Sequence, residues 1–198
     1  MKRKILVSAL VAVCLSISMV ASGTLAYFTA SETSHNIITT DAINITIEEW
    51  QKTDDGFVAY PEEPIVIMPG TSSSKIVTVR NIDAKAYVRA KYEIIVKDSR
   101  GRVMKLSPET INSIISVDLN NEDWIRKNDD DEWFYYASAV KTGEATEALF
   151  TKVFFDGPNM TNEYQNCTVE IIVDAQAVQS ANNGSSATKA SGWPAENN

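Results

Sequence analysis

The sequence predicts an all-β fold, a two-sheet antiparallel β-sandwich with at most one short helix, and three observations carry that expectation. Period-two alternation of apolar and polar residues recurs along the chain, most cleanly over 88–97 and 168–178, whereas no helical period is sustained beyond two turns. The alternating runs are short, and clusters of Pro, Gly, Asn and Asp separate them, residues that end ladders and start turns. Composition is that of a core-forming protein, 44% hydrophobic and 22% charged.

The first 26 residues stand apart. Lys2, Arg3 and Lys4 precede an apolar run from Ile5 to Val20, and Thr24-Leu25-Ala26 is a small-x-small site. This is the layout of a cleaved signal peptide, and the run is shorter than the roughly 20 residues that span a bilayer. Cleavage after Ala26 frees Tyr27 as the mature N-terminus. About 170 residues then remain, a usual size for one domain. The expected organisation is a signal peptide over 1–26, an N-terminal segment over 27–42, a β-sandwich over 43–178 and a flexible Ser/Ala/Asn/Gly-rich tail over 179–198.

The net charge of −8 is unevenly spread. All three charged residues of the leader are cations, so the rest has 15 Lys+Arg against 26 Asp+Glu. A domain this acidic is repelled by phosphate backbones and anionic lipid, which argues against nucleic-acid or membrane partners after cleavage. Of the two cysteines, Cys14 lies in the leader, so Cys167 is left without an intramolecular partner and reads as a structural thiol.

Taken in order, 43–47 (INITI) alternates, with its isoleucines on one face. Residues 56–60 and 65–68 read as short strands, separated by Pro61 and Pro64, and Pro69-Gly70 turns the chain. In 75–82, Val77 and Val79 share a face. Over 88–97, Val88, Ala90, Tyr92, Ile94 and Val96 point one way and Arg89, Lys91, Glu93 and Lys97 the other, the pattern of a half-buried strand with a charged outer face. Ser107 before Pro108 is a helix start, so 108–115 reads as the one helix. Weak strands follow at 115–119 and 124–127, then a solvated turn at 128–131, an aromatic strand at 132–136 and a strand at 148–155. The run 168–178 alternates through Val169, Ile171, Val173, Ala175 and Ala177. Trp193 is an isolated aromatic in the tail, read as loosely docked or, alternatively, as a contact for a neighbouring subunit.

Catalytic constellations are sparse. The one histidine, His35, gives no zinc motif and no Ser/His/Asp triad, and there is no nucleophile elbow or phosphate-cradling glycine loop. The residues therefore point to no enzyme, no cofactor and no metal site. The nearest to a cation site is the acidic turn with Asp129 and Asp131, which lacks the glycine and distal glutamate of an EF-hand loop. Alternation sends only half of Trp133, Phe134, Tyr135 and Tyr136 to one face, which favours core packing over a carbohydrate platform.

Several stretches together resemble the TasA/camelysin family of SipW-dependent secreted bacterial proteins, and within it the clostridial SipW-dependent pilin and biofilm-surface proteins. They are Gly23-Thr-Leu-Ala-Tyr-Phe-Thr29, Met68-Pro-Gly70, Val77-Thr-Val-Arg-Asn81, Ala86-Tyr-Val-Arg89, Asp131-Glu-Trp-Phe-Tyr-Tyr136, Thr142-Gly-Glu-Ala-Thr-Glu-Ala-Leu-Phe150 and Ala175-Gln-Ala-Val-Gln179. The resemblance implies a jelly roll, processing by a SipW-type signal peptidase, and assembly into extracellular fibres or pili of the biofilm matrix. It implies self-association as the partner relationship, with a minor fibre accessory protein as a further expected partner. The segment freed by cleavage is then the candidate donor strand to the next subunit, with Tyr27, Phe28, Ala30, Ile37 and Ile38 as its contacts and Phe28 as the best anchor. Two other readings come with the family or the fold: a camelysin-like surface metallopeptidase, for which this chain lacks the zinc ligands, and a monomeric surface adhesin module.

Overall fold

In a computed structural model, residues 28–30, 33–34, 43–61 and 65–194 are described. The described residues are mostly β, with one short α-helix among them. Its strands are β1 Phe28–Ala30, β2 Thr33–Ser34, β3 Ile45–Thr53, β4 Gly56–Ala59, β5 Ile65–Ile67, β6 Ser72–Ser74, β7 Ile76–Asn81, β8 Ala86–Lys97, β9 Ile115–Val117, β10 Trp124–Ile125, β11 Phe134–Tyr136, β12 Lys152–Phe155 and β13 Thr168–Gln179. The helix, α1, is Pro108–Ile114, and Ser107 caps it by accepting a hydrogen bond from the Thr110 N–H at 3.2 Å.

One large sheet has the order β10-β11-β8-β13-β1-β5, with β2 also on β13. At its centre β8 and β13 run antiparallel over 12 residue pairs, from Thr168↔Lys97 to Gln179↔Ala86. These are the two stretches with the cleanest alternation, and each buries its apolar set: Val88, Ala90, Ile94 and Val96 from one strand, Val169, Ile171, Val173, Ala175 and Ala177 from the other.

Two small sheets, β6-β12-β9 and β4-β3-β7, face it. Backbone hydrogen bonds stitch them into one layer. Residues 144–151, between strands, run along β7 through Lys75 N–H to Thr151 O, Val77 N–H to Phe150 O, Leu149 N–H to Val77 O and Thr146 N–H to Val79 O. One apolar core then lies between the layers, including Ile45, Ile47, Val77, Val79, Phe150, Val153 and Phe155 from this side. The strand expected at 148–155 is thus assigned only from Lys152, although the chain is already paired upstream. Strand β6 was not expected at all, since three serines carry no alternation.

The break between β6 and β7 falls at Lys75, only 2% exposed, whose Nζ lies 3.0 Å from Glu49 Oε1 and 4.3 Å from the centre of the Tyr60 ring. Burial pushes the Glu49 carboxyl up to about 7 and pulls the Lys75 ammonium down to about 7.

The tail departs from expectation. Residues 180–194 turn back over the outer face of the large sheet, where Tyr87, Trp133, Tyr135, Val178, Ala187 and Ala190 form a second apolar cluster with Trp193 packed against it. Gly184 sets the fold-back: its φ is +67°, and a Cβ there would stand 2.8 Å from the Lys189 carbonyl oxygen. The physical reason for docking is Arg89. Alternation gives it a solvent-facing place, yet it is 8% exposed, with its guanidinium 4.2 Å from the centre of the Trp133 ring and 4.8 Å from that of Trp193. It donates from Nε and Nη2 to Gln176 Oε1 at 3.0 and 2.6 Å, and from Nη1 to the Tyr135 hydroxyl at 3.3 Å. A planar cation between aromatic faces draws an otherwise solvated tail onto the sheet.

Candidate functional site

The candidate site is the second edge of β13. One side of that strand is paired throughout with β8. The other side receives β1 and β2, both parallel to it: Thr29↔Thr168, Ala30↔Val169, Thr33↔Ile172 and Ser34↔Val173. The offset is 139 residues at all four pairs, so β1 and β2 share one register along β13. On its far side β1 pairs antiparallel with β5, through Phe28↔Ile67, Thr29↔Val66 and Ala30↔Ile65. The N-terminal segment therefore fills a slot between β13 and β5.

The slot exists because its two walls come from distant parts of the chain. β13 is the last strand, and a partner parallel to it needs a long connection, since a tight turn joins only antiparallel neighbours. Here the whole domain, from β3 to the 3₁₀ turn at Asn162–Tyr164, serves as that connection. β1 pairs through its main chain with both walls of the slot, hydrogen bonding of a kind that any extended segment of suitable length can offer.

Of the residues expected to act in assembly, Phe28 and Ala30 are thus brought into this slot as backbone partners of Ile67, Ile65 and Val169. Tyr27, Ile37 and Ile38 lie outside the described residues, as do Thr24 and Ala26 of the expected cleavage site, His35 and Cys14. Among the described residues no helix is long and apolar enough to cross a membrane.

At the start of β13, Cys167 is 1% exposed, with its Sγ 3.6 Å from Met104 Sδ. Burial raises its thiol pKa, with the Asp98 and Glu163 carboxylates adding to the effect, so it is a protonated packing group rather than a nucleophile.

Asp129 and Asp131 sit in the exposed turn before β11, where the Asn128 side-chain oxygen accepts from Asp130 N–H and Asp131 Oδ1 from Trp133 N–H, each at 3.0 Å. The side-chain oxygens of Asn128 and Asp131 are thus aimed at the turn's own backbone. Among the described residues no group of three or more His, Cys, Asp or Glu stands where it could hold a metal ion. The aromatic run divides between faces: Phe134 and Tyr136 pack with the main core, Trp133 and Tyr135 with the tail cluster.

Sequence reasoning missed the Arg89 cluster. A signal was present: Gln176 stands directly opposite Arg89 in the β8–β13 register, two long polar side chains at the centre of the sheet where strand exteriors are commonly covered. No family model, no curated protein and no solved structure matches this chain.

Proposed function

We propose that the chain is a secreted structural subunit of extracellular fibres or pili in a bacterial biofilm matrix, assembling non-covalently by passing its N-terminal strand to the next subunit. One observation carries this reading: the N-terminal segment occupies a slot between β13 and β5 by main-chain pairing, without contributing to the hairpin framework. Pairing of this kind has the same hydrogen bonds whether the strand comes from the same chain or from a neighbour, so exchange between copies is nearly neutral in contact energy. The linking residues 35–42 allow it on length: eight residues extend to about 28 Å at most. Each donated strand leaves the donor's own slot open for another copy, and the chain of exchanges propagates.

On this reading the fold is a jelly roll, the leader over 1–26 is removed by a SipW-type signal peptidase, and a minor accessory protein starts or ends the fibre. The first requirement is export, because a tethered leader would hold Tyr27 and Phe28 away from a neighbour's slot.

The test is negative-stain microscopy of the purified mature protein. Ordered filaments are expected, and a variant lacking 27–36 should remain folded and fail to form them. Normal filaments from the deletion variant would overturn the proposal. N-terminal sequencing of the secreted form should begin at Tyr27; a start beyond Thr29 would remove the proposed anchor, Phe28.

A further inference from the structure

The large sheet has an opening on its other side. β11 pairs with β8 only at Arg89 and Ala90, and the chain returns to β8 at the Lys97↔Val103 bridge. Between these points lies a notch of about 610 Å³. The peptide groups that face it follow from the alternation of an antiparallel ladder. Ala86 exchanges both hydrogen bonds with Val140, and Val96 O accepts from Met104 N–H, so even-numbered residues of β8 point away from β13. Tyr92 and Ile94 therefore present N–H and C=O groups to the notch, and no described residue pairs with them on that side. Leu106, Ile111 and Phe134 line the walls.

A second open edge lies in the opposite layer. β4 is the end strand of its sheet, and Tyr60 N–H donates to Glu49 O, so Phe57 and Ala59 point their peptide groups outward. Phe57 is 67% exposed and Val58 44%. Soluble proteins commonly blunt such an edge with Lys, Pro or a bulge, and 56–59 (GFVA) contains none of these.

We propose that β4 of one copy adds as a strand to β8 in the notch of a second copy. Each side offers two outward residues at i, i+2 spacing, and the notch is closed at Ala90 and Val96, so one register fits: Phe57 opposite Ile94 and Ala59 opposite Tyr92. Opposed residues share a face, so Phe57 drops beside Ile94 among Leu106 and Ile111. The antiparallel direction lets each opposed pair exchange both of its hydrogen bonds, more than a parallel register could make with the same open groups. It also brings the turn residues Asp54 and Asp55 to the end where Arg102 and Lys105 are exposed. The two surfaces differ, so the contact is head-to-tail and propagates. It is independent of the N-terminal strand.

In the full chain Phe28→Asp tests strand donation and Phe57→Lys tests this contact, so the two readings fail separately. Self-association is followed by sedimentation in a Phe28→Asp background. Burial of one phenylalanine predicts that Phe57→Lys weakens it about tenfold or more. Asn112→Trp, which fills the notch from its exposed helix wall, should do the same. An equimolar mixture of the two variants retains one good edge and one good notch, and should form dimers and nothing larger. Near-UV circular dichroism and the milder Phe57→Ser, at the same exposed position, separate lost contact from lost folding. A background protein that does not self-associate, undiminished association of Phe57→Lys, or a mixture that stays monomeric or grows past dimers would each overturn the contact.

Discussion

Replacing Trp193 by Ala separates a docked tail from a mobile one. The indole ring centre lies 4.8 Å from the Arg89 guanidinium carbon and 5.7 Å from the Tyr135 ring centre, edge to face. A partly desolvated cation–π contact contributes about 1–2 kcal/mol and an aromatic pair about 1 kcal/mol. The ring is only partly buried, so little further area is lost, and the expected cost is about 2–3 kcal/mol. For a domain of this size that lowers Tm by about 4 to 12 °C. Thermal unfolding followed by circular dichroism measures it, and hydrogen exchange should show protection lost across 180–194 while β8 and β13 keep theirs. Trp193→Phe, which keeps an aromatic face over Arg89, should recover about half of the loss. A shift under about 2 °C, with exchange over the tail unchanged, would mean that the tail is not held by this cluster and that its polar composition decides its behaviour after all.

Other expected outcomes concern single groups. Asn81 is fully buried and its Nδ2 donates to Ala84 O and Val140 O, so Asn81→Ala, which removes both bonds, should cost about 1–3 kcal/mol in denaturant unfolding. Gly184→Ala combines a positive φ with a contact at 2.8 Å, and should lower stability by about 1–3 kcal/mol and loosen 180–194 in hydrogen exchange. The Glu49–Lys75 pair has a signed pH dependence. The folded state holds the Glu49 proton up to about 7, against 4.5 ordinarily, so stability falls as pH rises through that window. It releases the Lys75 proton near 7, against 10.5 ordinarily, so stability recovers as pH rises further. The difference in Tm between the parent and a Glu49→Gln/Lys75→Met double variant should therefore be largest near pH 7, with the variant the more stable there; a flat difference from pH 5 to 9 would contradict this assignment.

What was legible in the sequence was local. Alternation in 88–97 and 168–178 identified two strands, because those residues bury one face against a single core, while their pairing emerges only in the fold. Ser107-Pro108 marked the helix, because a cap and a proline act within one turn. What was not legible depends on distant partners. Ser72–Ser74 is extended because Lys152–Phe155 pairs with it, which no serine announces. Arg89 reads as a surface residue until Gln176 and Trp193 are placed beside it. The same holds for the candidate site: 27–42 was singled out by its position after a leader, while the slot that receives Phe28 and Ala30 is built from β13 and β5 and has no local signature.

The 139-residue separation between the N-terminal strand and its partner has a kinetic consequence. A chain made from its N-terminus presents β1 first and β13 last, so the first-made strand waits for the whole domain before its position exists. During that interval the core layers close without it, and the open slot and the unpaired strand coexist on one molecule. On the proposed function, closure within the chain would then compete with capture by a neighbour, with the balance set by concentration. Intramolecular closure through a short linker corresponds to an effective concentration on the order of millimolar. On that same reading, dilute molecules would close on themselves first, whereas crowding would favour exchange, so where the molecules meet would govern their fate as much as what they contain.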